Sequence, residues 1–383
     1  MMEKDLLLLP GPTPVPDRVL RAMAAPMVNH RGALFTAVHD KVLAGLKMVY
    51  QTQNDVLVLP SAGTGGLEAA IVNFFSPGDR VLAVVTGAFG QRFAKIAGAF
   101  GLEVKVLDVP WGQGLDPEAV AKELHADPSL KGVLLTHNET STGVTNPVGE
   151  VAKRRGDHQA LILVDAISSL GGIDLPMDEL GLDVVVAGSQ KALMIPPGLS
   201  FLAVSPRAWA AHEVAKLPRF YFDLTPYRKG LAKANTPYTP AVSLWYALQE
   251  SLQMITEEGL PQVFKRHRLL GEMTRAGAKA LGLKLLAEPA VASETVTAIF
   301  PPAGVAADEF RGLMRKELGV TMAGGQGPLS GQIFRIGHVG WVAPKDILSG
   351  LAALEEGLRR VGHPAQAGAG VAAALEVMGR ANA

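Results

Sequence analysis

The sequence contains no cysteine in 383 residues. This absence excludes disulfide bonds, zinc sites built on thiolates and catalytic thiol nucleophiles. Neither sign of charge dominates, because 36 basic side chains balance 36 acidic ones. Such a chain has no overall field that attracts nucleic acid or an anionic membrane surface, so partners of those kinds are not expected.

The sequence also lacks an apolar run long enough to cross a bilayer, and its start is too short and too acidic for a secretory signal. We therefore expect a soluble cytoplasmic protein. What is abundant is apolar residues, at 48%, with only 19% charged residues, in a chain longer than one ordinary domain. This balance predicts two domains that share one cleft.

The strongest chemical signal lies at the ends of two apolar runs. Residues 161–164 predict a buried parallel strand with Asp165 at its carboxyl end, where open α/β sheets bind their ligands. Residues 184–186 predict another strand, which leads through small and polar residues to Lys191. A desolvated amine there could attack a carbonyl and form a Schiff base. Taken alone, Lys191 would more often be a surface lysine.

Asp165 and Lys191 together supply what pyridoxal phosphate requires. The aldehyde of this cofactor needs an amine, and its pyridine nitrogen needs a carboxylate that keeps the ring an electron sink. The segment Gly-Ser-Gln-Lys-Ala-Leu around Lys191, with Pro-Pro-Gly at 196–198, resembles the class V aminotransferases of fold type I. Within that family, the chain is most similar to the alanine–glyoxylate and serine–pyruvate group, from residue 10 to about 340.

The resemblance implies an α/β fold, with a mostly parallel seven-stranded sheet in a large domain and a smaller C-terminal α/β domain. The alternation of strand and helix patterns independently favours a parallel sheet with helices on both faces. We expect an N-terminal arm that lines the cleft (1–20), a large cofactor-binding domain (21–260), a small domain (261–365) and an Ala/Gly-rich tail (366–383). Further strands are expected at 81–85, 101–106, 132–136, 200–204, 295–300 and 332–336, and helices at 17–24 (capped by Asp17), 117–124, 235–258, 261–281 and 308–318.

Residues 56–59 predict a short strand that leads through small residues into a helix expected at 67–75. Backbone amides at a helix N-terminus bind anions. Alone, this pattern is more typical of a tight turn. The resemblance makes Ala62, Gly63 and Thr64 the phosphate-binding loop, although many relatives carry histidine where Thr64 stands.

The resemblance implies further contacts to the cofactor. Phe89 would stack on one face of the ring, where several relatives use tryptophan, and Ile167, continuing the strand of Asp165, would cover the other face. Thr140 lies in a loop similar to the family's Glu-Ser-Ser-Thr-Gly-Val and would hydrogen bond to the ring 3-oxygen or the substrate. Gln190 belongs to the same set. Without the resemblance, Phe89 would be assigned to the core and the Thr140 loop to a polar turn.

Two positions are predicted to bind the substrate carboxylate. The proline-rich segment 10–16 is held extended and could be a stiff terminal arm, but the resemblance implies that the backbone amide of Gly11 faces the substrate. Arg335 matches the family's carboxylate-binding arginine, whose planar fork forms two parallel hydrogen bonds. Alone, Arg335 would more often be a salt-bridged residue on an edge strand. The polar cluster 29–31 is also found near the site in the family.

Segment 235–244 reaches across a homodimer interface in relatives, where a tyrosine and a threonine touch the neighbour's phosphate. The register differs here, with Asn235 at the tyrosine position. Tyr238 and Thr239 are therefore the candidates for cross-subunit contact.

The implied function is transamination between a small L-amino acid, alanine or serine, and a small 2-oxo acid, glyoxylate or pyruvate, by a homodimer with shared active sites. Three alternatives stay open. A phosphoserine or phosphonate aminotransferase would need a second basic cluster near the substrate, where only Arg31 and Arg335 are obvious. A lyase of the kynureninase kind would need no acceptor oxo acid. A pyridoxal phosphate protein that serves as an assembly or regulatory subunit, as some relatives associated with hydrogenases suggest, would turn over no amino acid.

Overall fold

The computed structural model describes residues 5–381. The first four residues of the predicted arm and the last two of the predicted tail lie outside this range. The strands are β1 (Leu6–Leu8), β2 (Asp55–Leu59), β3 (Arg80–Val85), β4 (Glu103–Asp108), β5 (Leu130–Thr136), β6 (Asn138–Glu139), β7 (Val144–Thr145), β8 (Leu161–Asp165), β9 (Val184–Gly188), β10 (Ser200–Val204), β11 (Val296–Ile299), β12 (Val320–Gly324) and β13 (Phe334–Gly337).

The α-helices alternate with these strands in the first half of the chain and cluster in the second. They are α1 (Asp17–Met23), α2 (Ala33–Tyr50), α3 (Gly63–Phe74), α4 (Ala88–Ala99), α5 (Pro117–Ala126), α6 (Val148–Arg154), α7 (Pro206–Val214), α8 (Leu224–Leu231), α9 (Val242–Glu258), α10 (Leu260–Ala280), α11 (Ala307–Leu318), α12 (Pro344–Arg360) and α13 (Ala369–Ala381). Within the described range, no helix is both long and apolar enough to span a membrane.

The large sheet has seven strands in the order β2-β10-β9-β8-β5-β3-β4. Only β10 runs antiparallel to its neighbours β2 and β9. Successive side chains of one strand enter different cores: Val185 packs into one cluster, whereas Val184 and Val186 pack into the cluster on the other face. Burial on both faces explains why these strands are continuous apolar runs. The predicted mostly parallel seven-stranded sheet is confirmed.

The small sheet has four strands in the order β1-β12-β13-β11. Its edge strand β1 comes from the predicted arm and pairs in parallel with β12, so that Leu6 lies opposite Val320. Leu8 is buried there in a core that also contains Phe310 and Phe334. The arm is therefore part of the small sheet. The sequence analysis had predicted only that residues 1–20 line the cleft.

Several element boundaries differ from the prediction, for local reasons. Helix α3 begins at Gly63 rather than at residue 67. The sequence pattern did not show this earlier start, because the first residues of the helix are glycines and a threonine without apolar periodicity. The cap of α1 is Pro16, and Asp17 is instead the first helical residue. Helix α9 begins only at Val242, since prolines at 237 and 240 disfavour helix before it. The predicted tail contains α13, which packs on the small-domain core through Ala374 and Val377.

Candidate active site

Asp165 and Lys191 come together at the carboxyl end of two adjacent parallel strands. Asp165 ends β8 and lies opposite Val186 of β9, and Lys191 follows β9 by three residues. The Lys191 Nζ donates a hydrogen bond to the carbonyl of Pro10 at 2.7 Å. The arm passes so close that a Cβ on Gly11, whose φ is +129°, would lie 2.5 Å from that Nζ. The N-terminal segment thus contacts the Lys191 amine within one chain, a contact that the sequence analysis did not predict.

Burial shifts the titration of both groups toward neutrality. It raises the pKa of Asp165 to about 7, and the nearby Glu139 carboxylate acts in the same direction. Burial lowers the pKa of Lys191 to about 8, helped by the positive charge of Arg335. The attraction between Asp165 and Lys191 opposes both shifts. A substantial fraction of the Lys191 amine is therefore neutral near pH 8, as nucleophilic attack on an aldehyde requires.

The residues predicted to bind the phosphate, Ala62, Gly63 and Thr64, lie at the start of α3. Its cap residue is Ala62, which offers no side-chain hydrogen bond to the helix. A Cβ on Gly63 would lie 2.5 Å from Cδ1 of Ile167, so the loop and the Asp165 segment are in contact. The Thr64 hydroxyl lies 3.4 Å from Nη1 of Arg92. An uncapped helix N-terminus beside a cation is an electrostatic environment that suits an anion.

Ile167 reaches the site by a route other than the one predicted. The strand ends at Asp165, and the chain turns so that the Ile167 amide donates to Oδ1 of Asp165 at 2.9 Å. The expectation that Ile167 continues the strand was wrong. An Asp side chain readily captures the amide two residues on, and this local bond terminates the strand. Ile167 remains half-buried beside Gly63.

Phe89 lies in the first turn of α4 and is half-buried, so it is not the core residue that the sequence alone would suggest. The guanidinium of Arg92 lies 4.8 Å from the centre of its ring. The backbone amide of Phe89 donates to Oε2 of Glu139 at 3.0 Å. The ring is therefore attached to a helix start whose position is set by the loop between β6 and β7.

Arg335 is a buried cation that is held by backbone carbonyls. It lies on β13 with only 5% of its surface exposed. Its Nε donates to the carbonyl of Gly324 and its Nη1 to the carbonyl of Thr140, both at 2.8 Å. Across residues 5–381, no carboxylate forms a salt bridge with it. Burial lowers the pKa of Arg335 to about 10, which still leaves it charged at neutral pH.

The remaining predicted residues divide into two groups. The Thr140 hydroxyl donates to Ser168 Oγ at 2.7 Å, and Gln190 precedes Lys191 with its carbonyl accepting from the Thr13 amide. Tyr238 and Thr239 lie elsewhere, beside β2 and β10. The Tyr238 ring stacks on Tyr221 at 5.1 Å, and Thr239 is exposed.

Arg31 does not join Lys191 within the chain. Its guanidinium donates to Oδ1 of Asn235 at 2.6 Å and to the carbonyl of Thr236 at 2.5 Å. The polar cluster 29–31 and the segment 235–237 therefore form one surface unit.

Some residues of the site were missed by the sequence analysis. Pro10 acts through its carbonyl, for which a side-chain pattern gives no signal. Thr13 donates its hydroxyl to the carbonyl of Lys191 at 3.1 Å. Glu139 was also missed, although it directly precedes Thr140 in the same loop motif. An acidic residue among small polar residues could have indicated a buried carboxylate.

A family model described as aminotransferase class-V matches residues 6–334. The chain belongs to the class-V aminotransferases. It is 48% identical to the soluble hydrogenase 42 kDa subunit of Anabaena cylindrica, over 98% of this chain and 99% of that one. It is 40% identical to the L-aspartate–glyoxylate aminotransferase of Paracoccus denitrificans (98% and 96% covered) and 39% identical to the serine–glyoxylate aminotransferase of Methylorubrum extorquens (97% and 95%).

Solved structures agree with this assignment. The ureidoglycine–glyoxylate aminotransferase of Bacillus subtilis superposes with a TM-score of 0.94 at 31% identity, covering 99% of each chain. The alanine–glyoxylate aminotransferase of a Nostoc species superposes with a TM-score of 0.90 at 32% identity, covering 94% of this chain and 96% of that one. This class-V aminotransferase therefore has the fold-type I architecture of pyridoxal phosphate enzymes.

Pyridoxal phosphate is the cofactor of this aminotransferase. The donor set fits it: a desolvated amine, a buried carboxylate on the neighbouring strand and an uncapped helix start lie close together. There is no room for a side chain at Gly11, where the arm approaches Lys191, or at Gly63, where the predicted phosphate loop approaches Ile167. The bound cofactor supplies an electron sink for bond cleavage at the amino acid's α-carbon.

Proposed function

We propose that this aminotransferase transfers the amino group of L-alanine or L-serine to glyoxylate or pyruvate. The observation that carries the proposal is the buried Arg335, whose charge acts on Lys191 and which forms no salt bridge with a carboxylate among the described residues. A substrate carboxylate would supply that charge. The glyoxylate-dependent activities in the names of several relatives support a small 2-oxo acid as acceptor.

In this proposal, the Lys191 amine holds the cofactor aldehyde between reactions and carries the α-proton during them. The Asp165 carboxylate keeps the pyridine nitrogen protonated, because an ionised acceptor beside it favours the charged form. Arg335 binds the substrate carboxylate through its planar fork, and the Gly11 amide binds the same group. These roles require only groups that face one cleft.

The other proposed roles concern the placement of the cofactor. The Ala62–Gly63–Thr64 loop binds the phosphate, whose charge the dipole of α3 stabilises by about 0.3–2 kcal/mol. Phe89 and Ile167 flank the ring, and Thr140 and Gln190 contact its polar edge. Rigid flanking side chains keep the ring in one plane, so that the Lys191 amine meets the α-proton in a fixed geometry.

We further propose that the enzyme is a homodimer in which Tyr238 and Thr239 approach the phosphate of the partner's site. The support is a surface patch of aromatic residues around Tyr238, in which Phe220 is 79% exposed and Tyr221 45% exposed. Exposed aromatic clusters of this kind mark protein interfaces.

The visible absorbance of the cofactor-loaded protein tests the reaction. Addition of L-alanine or L-serine without any oxo acid should remove the yellow band, and glyoxylate or pyruvate should restore it. This cycle would show both half-reactions. Consumption of the amino acid with a band that persists, or returns, without any oxo acid would contradict transamination and favour a lyase.

A second candidate function is a non-catalytic role in hydrogenase assembly or regulation, favoured by the name of the Anabaena relative. The same experiment separates it, because a non-catalytic subunit would keep its yellow band under every addition. A phosphoserine or phosphonate substrate has less support. The guanidinium of Arg31, which could serve a second anion, is already held by Asn235 and Thr236.

A further inference from the structure

Glu139 is a fully buried carboxylate that the proposed reaction does not use. It ends β6, just before the turn that leads to β7. Its Oε2 accepts the amides of Phe89 and Gly90, each at 3.0 Å. Its Oε1 accepts the amide of Ser141 at 3.1 Å and the hydroxyl of the same residue at 2.6 Å. Four donors thus surround one carboxylate, an arrangement suited to its ionised form.

These bonds fix the start of α4. The first amides of a helix have no partners within it, and here Glu139 takes two of them. A third, from Ala88, donates to Ser141 Oγ at 2.9 Å. The preceding Gly87 is packed against the same group, since a Cβ there would lie 2.5 Å from the Cγ of Glu139. The backbone that carries the Phe89 ring therefore rests on the loop that follows β6.

The same loop also holds Arg335. Thr140, between Glu139 and Ser141, accepts the Arg335 Nη1 at its carbonyl and donates its hydroxyl to Ser168. Ser168 in turn donates to the carbonyl of Asn138 at 3.0 Å. Three consecutive residues, 139–141, therefore attach to the helix start that bears Phe89 on one side and to the guanidinium of Arg335 on the other.

We propose that Glu139 is a positioning residue that holds the Phe89 ring and the Arg335 guanidinium in a fixed relation to each other. The inference rests on the roles proposed above for those two residues. A glutamine at 139 keeps only one acceptor oxygen and turns an NH₂ group toward N–H donors, so it loses bonds on at least one side of the loop. Burial raises the pKa of Glu139, and its four donors act in the opposite direction.

The chain contains a matched control at Glu355. This carboxylate is also buried, with 5% exposure, and it accepts the amides of Gly368, Gly370 and Val371 at 2.8–3.1 Å around the start of α13. It lies in the small-domain core, away from the Lys191 cleft. Glu139→Gln and Glu355→Gln therefore remove equivalent buried caps, of which only one borders the site.

The experiment compares both variants, loaded with pyridoxal phosphate, in thermal unfolding, in the visible circular dichroism of the bound cofactor and in steady-state kinetics with L-serine and glyoxylate. Both should unfold at lower temperature than the parent protein. Glu139→Gln alone should raise the KM for L-serine by about tenfold, the scale of a lost hydrogen bond to a charged group, and weaken the dichroic band. Equal KM and equal dichroism in the two variants would overturn the proposal.

Two additional sets of variants keep the outcome interpretable. If Glu139→Gln does not fold, Ser141→Ala, which removes one of the four bonds to Glu139 together with the acceptor of the Ala88 amide, should shift KM and dichroism in the same direction by a smaller factor; no shift would overturn the proposal. Phe89→Leu and Arg335→Lys test the underlying roles. If they alter neither quantity, the proposed site assignment fails together with the inference. If they alter both and Glu139→Gln does not, the positioning role alone is wrong.

Discussion

Asp165 shows that a residue proposed to serve cofactor chemistry can be unfavourable for the cofactor-free fold. Burial raises its pKa from the ordinary value of 3.8 to about 7. A raised pKa means that the folded state binds more protons than the unfolded state between these two values. The free energy of unfolding therefore falls as the pH rises from about 4 to about 7, and above pH 7 the ionised carboxylate destabilises the cofactor-free protein.

Asp165→Asn should consequently stabilise the cofactor-free protein at pH 8 while it impairs catalysis. At about 1.4 kcal/mol per pKa unit, the gain is at most about 4 kcal/mol, a figure that already includes the attraction to Lys191. The measurement is thermal or denaturant unfolding of both proteins at pH 8 and at pH 4. The gain should disappear at pH 4, where Asp165 is protonated in the parent protein as well. A variant that is less stable at pH 8 would contradict the argument.

Lys191→Ala should abolish transamination and leave the fold intact. The loss of its acid–base role alone is about 10²–10⁴-fold, and the loss of the covalent link adds to it. Stopped-time assays of oxo acid production measure the change, and circular dichroism measures the fold. Lys105→Ala is a suitable control, because Lys105 is a surface residue paired with Glu123. Retained turnover in Lys191→Ala would remove Lys191 from the mechanism.

At the scale of elements, the N-terminal arm makes two contacts that the sequence analysis did not predict. It pairs with β12 through β1 and then passes over Lys191 at Pro10 and Gly11. Only glycine fits at position 11, for two reasons. The backbone φ is +129°, which other residues rarely adopt, and the Lys191 side chain occupies the space that a Cβ would need. The arm therefore lies against Lys191, although 181 residues separate Pro10 from Lys191 in sequence.

Gly11→Ala should displace the Lys191 amine from the Pro10 carbonyl and weaken cofactor binding by about tenfold or more, since misplacing a reacting group by about 1 Å is costly. Gly101→Ala provides the control. Its φ is +80°, but no heavy atom lies within 4 Å of the new Cβ, so only backbone strain is added. Titration of both variants with pyridoxal phosphate, followed by absorbance, measures the effect. Equal affinities would show that the arm does not constrain Lys191.

The elements that could be predicted are those with a local signal. The apolar run at 161–164 and the run before Lys191 predicted β8 and β9, and their ends placed Asp165 and Lys191 together. The pairing of β1 with β12 had no local signal, because it depends on hydrogen bonds between distant backbones. The start of α3 was also missed, since its glycines have low helix propensity and are held by the turn and sheet around them. Ile167 was assigned by strand periodicity, which a single Asp-to-amide hydrogen bond interrupted.

At the scale of the whole molecule, the proposed shared sites make a prediction for mixed dimers. Lys191→Ala and the double variant Tyr238→Phe/Thr239→Ala should each have low activity as homodimers. In a hybrid dimer, one site would contain both defects and the other would contain none. Random mixing by co-expression should then recover roughly a quarter of the parent activity.

Recovery in the mixture is measured against the sum of the two separate variants at equal total protein. If Tyr238 and Thr239 act within their own chain, every hybrid site carries one defect, and the mixture shows no gain. Gel filtration of the parent protein gives the independent check that a dimer forms.

The parallel pairing of Leu6 with Val320 also bears on the order of events during synthesis. The arm leaves the ribosome well before its partner strand β12, which is made only after the large sheet and α10 are complete. Until then, the Pro10 carbonyl and Gly11 have no small sheet to hold them over Lys191. The nascent large domain should accordingly pass through a stage with an open cleft, and the amine becomes enclosed only when the last third of the chain has been translated.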